Sequence, residues 1–435
     1  MIKIDLQKVN GSKNMKKKTV FLIFGTICFS LFSSAAIAFN SKSLQAAKLE
    51  SSKYFPEVQK NEVLDSFDNK GNKVISITNG FDELFTNEER MLYKKIKACC
   101  NDISNKRLST GLYSISPINV SGECLEIEQV RKVLDALQND SPEIFWISKT
   151  FSCSYYDNKM NTVKFYSIFS KPEKDDCEIR LKNKISEIIS KIPENSDDYE
   201  KEIFLHNYII DNCKYKNSRS NPKIFTSYGC LIDKIAVCEG YAKAMQILLC
   251  NCGIECRTVV GIGNNGPHMW NIVKIGGDWY HLDVTWDSSD EGSRYMYFNL
   301  DDKTIKKNHS IGRQFQGSKA FYAGKIYNFN LPKCTATKYN YYERNSFKVS
   351  NYNCDESIIE YIKKSAKLKH EYIYFKLDDK LSVEMFKNYV FLPKIFRFIS
   401  RANQSLKNGC KIETKSLYYS TCSNQNVLFI KVKYI

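Results

Sequence analysis

No segment of this 435-residue chain repeats another and no tract is of low complexity, which excludes solenoids, propellers and collagen-like architectures. Beyond the first 39 residues no apolar run is long enough to cross a bilayer, which excludes a bundle of membrane-spanning helices. A basic stretch interleaved with aromatics, the mark of a nucleic-acid groove, is also missing: the lysines are dispersed among Glu and Asp, so no nucleic-acid partner is expected. Cys250, Cys252 and Cys256 have a spacing that suggests metal ligation, but no fourth ligand stands nearby, and no metal or cofactor is expected. Acidic charge is in deficit, with 48 Asp and Glu against 64 Lys and Arg, for a formal net charge of +16.

What is present begins with an export pattern. Met15-Lys16-Lys17-Lys18 precedes an apolar run from Val20 to Phe32, and Ala36-Ile37-Ala38 supplies the small-x-small pattern of a cleavage site. Residues 1–38 therefore read as a secretory signal, with initiation at Met15 giving an ordinary signal by itself, and an uncleaved N-terminal membrane anchor as the competing reading. Removal of these residues, with six lysines and one aspartate, leaves 58 basic against 47 acidic side chains, or +11. An exported protein with that excess is drawn to anionic cell-wall polymers or lipid headgroups. Sixteen cysteines are many for an exported chain; their irregular placement does not describe a small disulfide scaffold.

The length leaves room for two or three domains. Residues 39–75 read as a leader or linker. Helical patterns at 87–100 and 126–137, followed by alternating runs around Phe145 and from Tyr155 to Phe169, predict a small α+β region over 76–179. A core follows over 180–332. A second α+β region over 333–435 has strands expected at 346–349, 372–377 and 427–434 and helices near 357–369 and 383–389.

The chemistry is concentrated in that core. After Cys238, apolar side chains recur at Tyr241, Ala242, Met245, Leu248 and Leu249, one helix stripe that ends by Gly253, so Cys238 opens a helix. Unpaired N–H groups and the positive end of the helix dipole favour a thiolate there, the form that attacks carbonyl carbon. Runs at 268–275 and 278–285 read as strands joined by a tight turn at Gly276-Gly277. If Ile275 pairs with Asp278, then His268 faces Thr285 and Trp270 faces Asp283. His268 and Asp283 are then diagonal neighbours on one face, about 7–8 Å apart at the backbone. His281 shares that face and is the rival base, but His268 follows the loop 261–267, where a side chain reaches a cleft rim.

Three blocks, Val237-Cys-Glu-Gly-Tyr-Ala242, His268-Met-Trp-Asn271 and Asp283-Val-Thr-Trp286, resemble the transglutaminase-like superfamily, in particular its bacterial secreted branch. The resemblance spans roughly residues 180–330, with a weaker echo in the segment Asp140 to Trp146. It implies an α+β fold with a papain-like core, in which a Cys-bearing helix packs against an antiparallel sheet, flanked by small α+β regions. It also implies a nucleophile on Cys238, a base on His268 and an orienting acid on Asp283. The stretch Tyr199 to Tyr215 resembles the family's lead-in helix, with Asn207 where Asp is commoner. For the oxyanion and substrate side, the backbone N–H of Cys238 is joined by Tyr228 and Trp270 as candidates.

A Cys-His-Asp set forms a thioester from an amide, and the next attacker decides the product: water gives hydrolysis or deamidation, an amine gives a cross-link. The expected activity is peptidase, amidase or deamidase chemistry on a protein or peptide substrate, with protein cross-linking as the alternative. A surface-binding module without catalysis is the alternative of another class. The flanking regions are expected to hold or select substrate and to leave the Cys-His-Asp set to the core.

Overall fold

A computed structural model describes residues 17–22, 66–67, 73–218, 220–264, 266–289, 294–312, 327–414 and 417–435. The expected cleavage site at 36–38 and most of the expected 39–75 leader lie outside the described residues.

The first sheet contains β1 (Lys17–Leu22), β2 (Ile103–Arg107), β3 (Tyr113–Ile115), β4 (Ile147–Tyr156) and β5 (Lys159–Ser167) in the order β1-β4-β5-β3-β2, every pair antiparallel. β1 falls inside the expected signal and adds to β4 as an edge strand. The β4–β5 turn places both Asp157 and Asn158 at positive φ, the conformation that a two-residue hairpin requires and that Asp and Asn tolerate. Helices α1 (Asn87–Cys99), α2 (Ile127–Asp140) and α3 (Lys171–Ile189) accompany this sheet. A capping box of Ser170 and Glu173 starts α3.

The core follows with α4 (Asp198–Asn212), α5 (Ser227–Leu231) and α6 (Cys238–Asn251), then β6 (Cys256–Gly263), β7 (Gly266–Ile275), β8 (Asp278–Leu282) and β9 (His309–Ile311). The sheet order is β8-β7-β6-β9, antiparallel throughout. The lead-in helix α4 stops at Asn212 rather than Tyr215, because Lys214–Tyr215 is extended and pairs in parallel with Ile235–Ala236. From Cys238 to Cys250 only Lys243 of α6 is not buried, so this helix is the central pillar of the fold. It packs on β6 and β7 and against α4 and α5.

The β7–β8 turn has the expected register, Ile275 opposite Asp278. Gly276 and Gly277 both have positive φ, and a Cβ on Gly276 would also enter the ring of Tyr339. The last sheet has β10 (Phe347–Val349), β11 (Tyr372–Leu377), β12 (Tyr418–Cys422) and β13 (Val427–Lys431) in the order β10-β11-β13-β12, with only its first pair parallel. Helices α7 (Val284–Asp287), α8 (Asp355–Lys367) and α9 (Leu392–Gln404) complete the elements used below.

One apolar cluster runs from Ile77 through Phe151, Phe165, Tyr228, Tyr241 and Leu282 to Phe429, and a second joins β10, β11, β13, α8 and α9. No described helix is long and apolar enough to cross a membrane.

Candidate active site

Cys238 is the first residue of α6, and its N-cap, Val237, has no side chain able to bond the first-turn N–H groups. Those donors and the positive helix end are therefore left facing the Cys238 region. Gly240 is what lets the helix begin here: a Cβ on it would stand 2.5 Å from the carbonyl oxygen of Ile224. Val237 donates its N–H to that same oxygen at 3.1 Å, locking the approach to the nucleophile position.

The second wall is the β7–β8 hairpin. The strand expected to continue through Thr285 ends at Leu282, which corrects the facing pairs His268–Thr285 and Trp270–Asp283. Asp283 instead caps α7, its Oδ1 accepting from the backbone N–H groups of Thr285 at 3.1 Å and Trp286 at 3.2 Å. A short polar side chain followed by two free N–H groups makes a cap in preference to another rung of ladder. The turn leaves Oδ2 free to meet Nε2 of His268 at 2.7 Å.

With Nε2 engaged, the Nδ1 side of His268 remains, and the Cys238 thiol hydrogen-bonds this imidazole. The three expected residues are thus brought together, all buried. Burial alone would depress the His268 pKa, but the charge and hydrogen bond of Asp283, and then Cys238, overcome it and push it up to about 10. Asp283 is held well below the usual carboxylate range: burial opposes this, and the His268 charge and the bonds from His268 and His309 outweigh it. An imidazolium beside Cys238 favours the thiolate.

His309 escaped the sequence reading. It lies on β9 opposite Gly263, and its Nε2 meets the same Asp283 Oδ2 at 3.1 Å. Its ring is 4.2 Å from that of Trp286 and 4.9 Å from that of Trp270. No motif marks it; only the pairing of β9 with β6 brings it in.

The rival base is excluded by its bonds. An indole N–H can only donate, so Nδ1 of His281 accepts from Trp270 at 3.0 Å and its Nε2 carries the proton donated to Asp302 at 2.9 Å. Trp270, expected on the substrate side, commits its one polar hydrogen to His281 and stacks its ring on His268. Tyr228 is corrected as well: its hydroxyl interacts with the Cys177 thiol of α3, and its ring packs on Phe145 and Phe169.

Among the described residues two donor clusters have the spread of a metal site, His268 with Asp283 and His309, and His281 with Asp302 and Cys334. In the first, the two carboxylate oxygens already lie against four nitrogens, two of them backbone N–H donors. In the second, the tautomer fixed by Trp270 puts a hydrogen where a metal would bind.

Residues 187–284 match the family model described as the transglutaminase-like superfamily. These residues are transglutaminase-like. Similar solved structures include "Crystal structure of a TGase", at 14% identity and a TM-score of 0.23 over 37% of this chain and 49% of that one. Another is described as a candidate cysteine protease from Cytophaga hutchinsonii, at 15% identity and a TM-score of 0.21 over 31% of this chain and 56% of that one. This chain thus spans about half the length of each. No curated protein matches it. The transglutaminase-like match includes Cys238, His268 and Asp283, whereas Asp302 and His309 lie beyond its end.

Proposed function

We propose that the chain is an exported thiol-dependent acyl-transfer enzyme that acts on amide bonds of a protein or peptide, of peptidase, amidase or deamidase type. The observation that carries this reading is the continuous hydrogen-bonded line from Cys238 through His268 to Asp283. The Cys238 thiolate attacks the amide carbon, and the oxygen that becomes negative is stabilised by N–H groups at the start of α6, the backbone N–H of Cys238 first. His268 passes its Nδ1 proton to the leaving amine, which departs and leaves a thioester. Water then gives a proton to His268 as it attacks the thioester, the acid leaves, and the thiolate–imidazolium pair is restored. Asp283 keeps the imidazole in one tautomer throughout.

A labelled primary amine, a glutamine-containing acceptor protein and an assay of released ammonia, each run with and without iodoacetamide, test this. Ammonia release that stops with iodoacetamide and with Cys238→Ala is the expected result. Amine incorporation exceeding hydrolysis would make the enzyme a cross-linking one. No turnover with any amide, alongside normal folding, would favour a binding module.

Export and attraction to an anionic surface complete the proposal. The signal would take β1 with it, and because β1 is an edge strand the other pairings of its sheet survive. The +11 excess supports the surface partner. Binding to cell-wall material is expected to fall steeply between low salt and about 0.5 M, where screening shortens to a few Å. Salt-insensitive retention in a pull-down would remove the electrostatic partner.

A further inference from the structure

Resting on the reading of Cys238, His268 and Asp283 as a reacting set, the geometry points to His309 as a positioning residue that holds the Asp283 carboxylate in its working orientation and ionised. A carboxylate with one imidazole partner can rotate or take up a proton; one with four donors, two on each oxygen, can do neither cheaply. Three of those donors come from the hairpin segment itself, His268 Nε2 and the N–H groups of Thr285 and Trp286. The fourth, His309, arrives from a different strand and ties the carboxylate to the far edge of the sheet.

His309 is also held at its other ring nitrogen. Its Nδ1 lies 2.8 Å from the amide oxygen of Asn308, and the amide nitrogen of Asn308 lies 2.8 Å from the Tyr297 hydroxyl. A neutral ring that faces an ionised carboxylate must carry its hydrogen on Nε2, which makes Nδ1 an acceptor; the Asn308 amide then meets Nδ1 through its nitrogen, turned over from the orientation in which its oxygen faces Nδ1 and its nitrogen donates to Tyr297. Trp286, Trp270 and Tyr297 surround the ring. Burial, together with the charge of His268, lowers the His309 pKa against the pull of Asp283, so the ring is neutral while His268 carries the positive charge. The ionisable groups around Asp283 are His268 on β7, His309 on β9, Asp287 on α7, Tyr297, His206 on α4 and, across His268, Cys238 on α6. Of these only the two imidazoles donate to it, so loss of His309 raises the pH at which the Asp283 charge is lost.

Two variants of the full chain separate donation from packing. His309→Phe keeps a ring between the two indoles without a donor, and His309→Gln keeps an N–H donor in a smaller volume. The first readout is the pH dependence of iodoacetamide alkylation at Cys238, which reports the thiolate–imidazolium pair whatever the substrate; the second is amide turnover. His309→Phe is expected to move the acid limb of alkylation upward by about one pH unit and to lower kcat about tenfold with KM unchanged, the scale of one lost charged hydrogen bond. His309→Gln is expected to recover the native limb and most of kcat. A native profile in His309→Phe, or equal impairment of both variants with unchanged melting temperature, would overturn the assignment. If His309→Phe does not fold, His309→Gln decides alone: a native acid limb supports donation, and a displaced one refutes it. Absence of amide turnover in the native chain would sink the acyl-transfer reading, while the alkylation profiles would still decide the role of His309.

Discussion

Four hydrogen bonds converge on the Asp283 carboxylate, while its neighbour Asp287, four residues on, shares its buried surroundings and ends in the opposite charge state. Burial drives the Asp287 pKa well up, Asp283 adds its own repulsion, and the partner His206 is pushed down to about 3, chiefly by burial, so this 3.0 Å pair is neutral. Asp283 escapes because its donors outnumber those of Asp287 and because His268 accepts the positive charge. The consequence for pH follows from the sign. A raised imidazole pKa means that the charged form, and the stability that it contributes, is complete below about 6.5 and is lost as pH climbs through about 10. Since the leaving amine needs the His268 proton, turnover is expected to hold across neutral pH and to fall through about pH 10. An alkaline limb between pH 6 and 7 in a kcat/KM profile would mean that the pairing does not govern the reaction.

Elements that carry strong local rules were legible in the sequence. The helix starting at Cys238 follows from its apolar stripe, and the hairpin register follows from two adjacent glycines, which only a two-residue turn uses so readily. The carboxylate partner of His268 was named through a strand parity that stops one residue short of Asp283, and the cap that brings the two together was not legible. A polar side chain can continue a ladder or start a helix, and tertiary contacts choose between them: here Asp283 donates its N–H to the Tyr297 carbonyl and Asp287 accepts from the Tyr297 N–H. α3 passed unnoticed because its buried positions, Cys177, Leu181, Ile185 and Ile188, are thinly spread among charged residues. α9 was obscured by Pro393, which reads as a breaker; the helical run that begins at Val383 instead widens into a π-helical stretch at Phe386–Phe391 just before the proline and continues through it. His309 and Asp302 were beyond reach, since their meaning depends on which strand edge closes the sheet.

At the scale of the whole molecule, the segment Asp140 to Trp146, which had no assigned role, is the joint between the first sheet and the core. Asp140 accepts from the N–H groups of Gly80 and Phe81 and from the Tyr93 hydroxyl, Ser227 of α5 donates to the Pro142 carbonyl, and Phe145 stacks on Tyr228 at 5.3 Å. The face of α6 formed by Glu239, Lys243, Gln246 and Cys250 is covered from the same side. Lys149 of β4 reaches Glu239 at 3.0 Å, the carbonyl of Asn139 accepts from Gln246, and Ile75 donates its N–H to the Cys250 carbonyl. The C-terminal region closes the opposite end, with Tyr341 stacked on Tyr295 at 3.6 Å and Gln425 donating to the Met296 carbonyl. Roughly half of the large apolar cluster, from Ile77 to Cys177 and from Tyr342 to Phe429, therefore lies outside residues 180–332. Excising that segment uncovers apolar surface on both sides, at about 1.5–3 kcal/mol for each large side chain exposed, against a total stability on the order of 5–15 kcal/mol. A fragment of residues 180–332 is accordingly expected to show no cooperative thermal transition and no enhanced alkylation at Cys238, whereas residues 73–435 retain both. A sharp melting transition and native Cys238 reactivity in the short fragment would show that the core stands alone and that the flanks serve only the substrate.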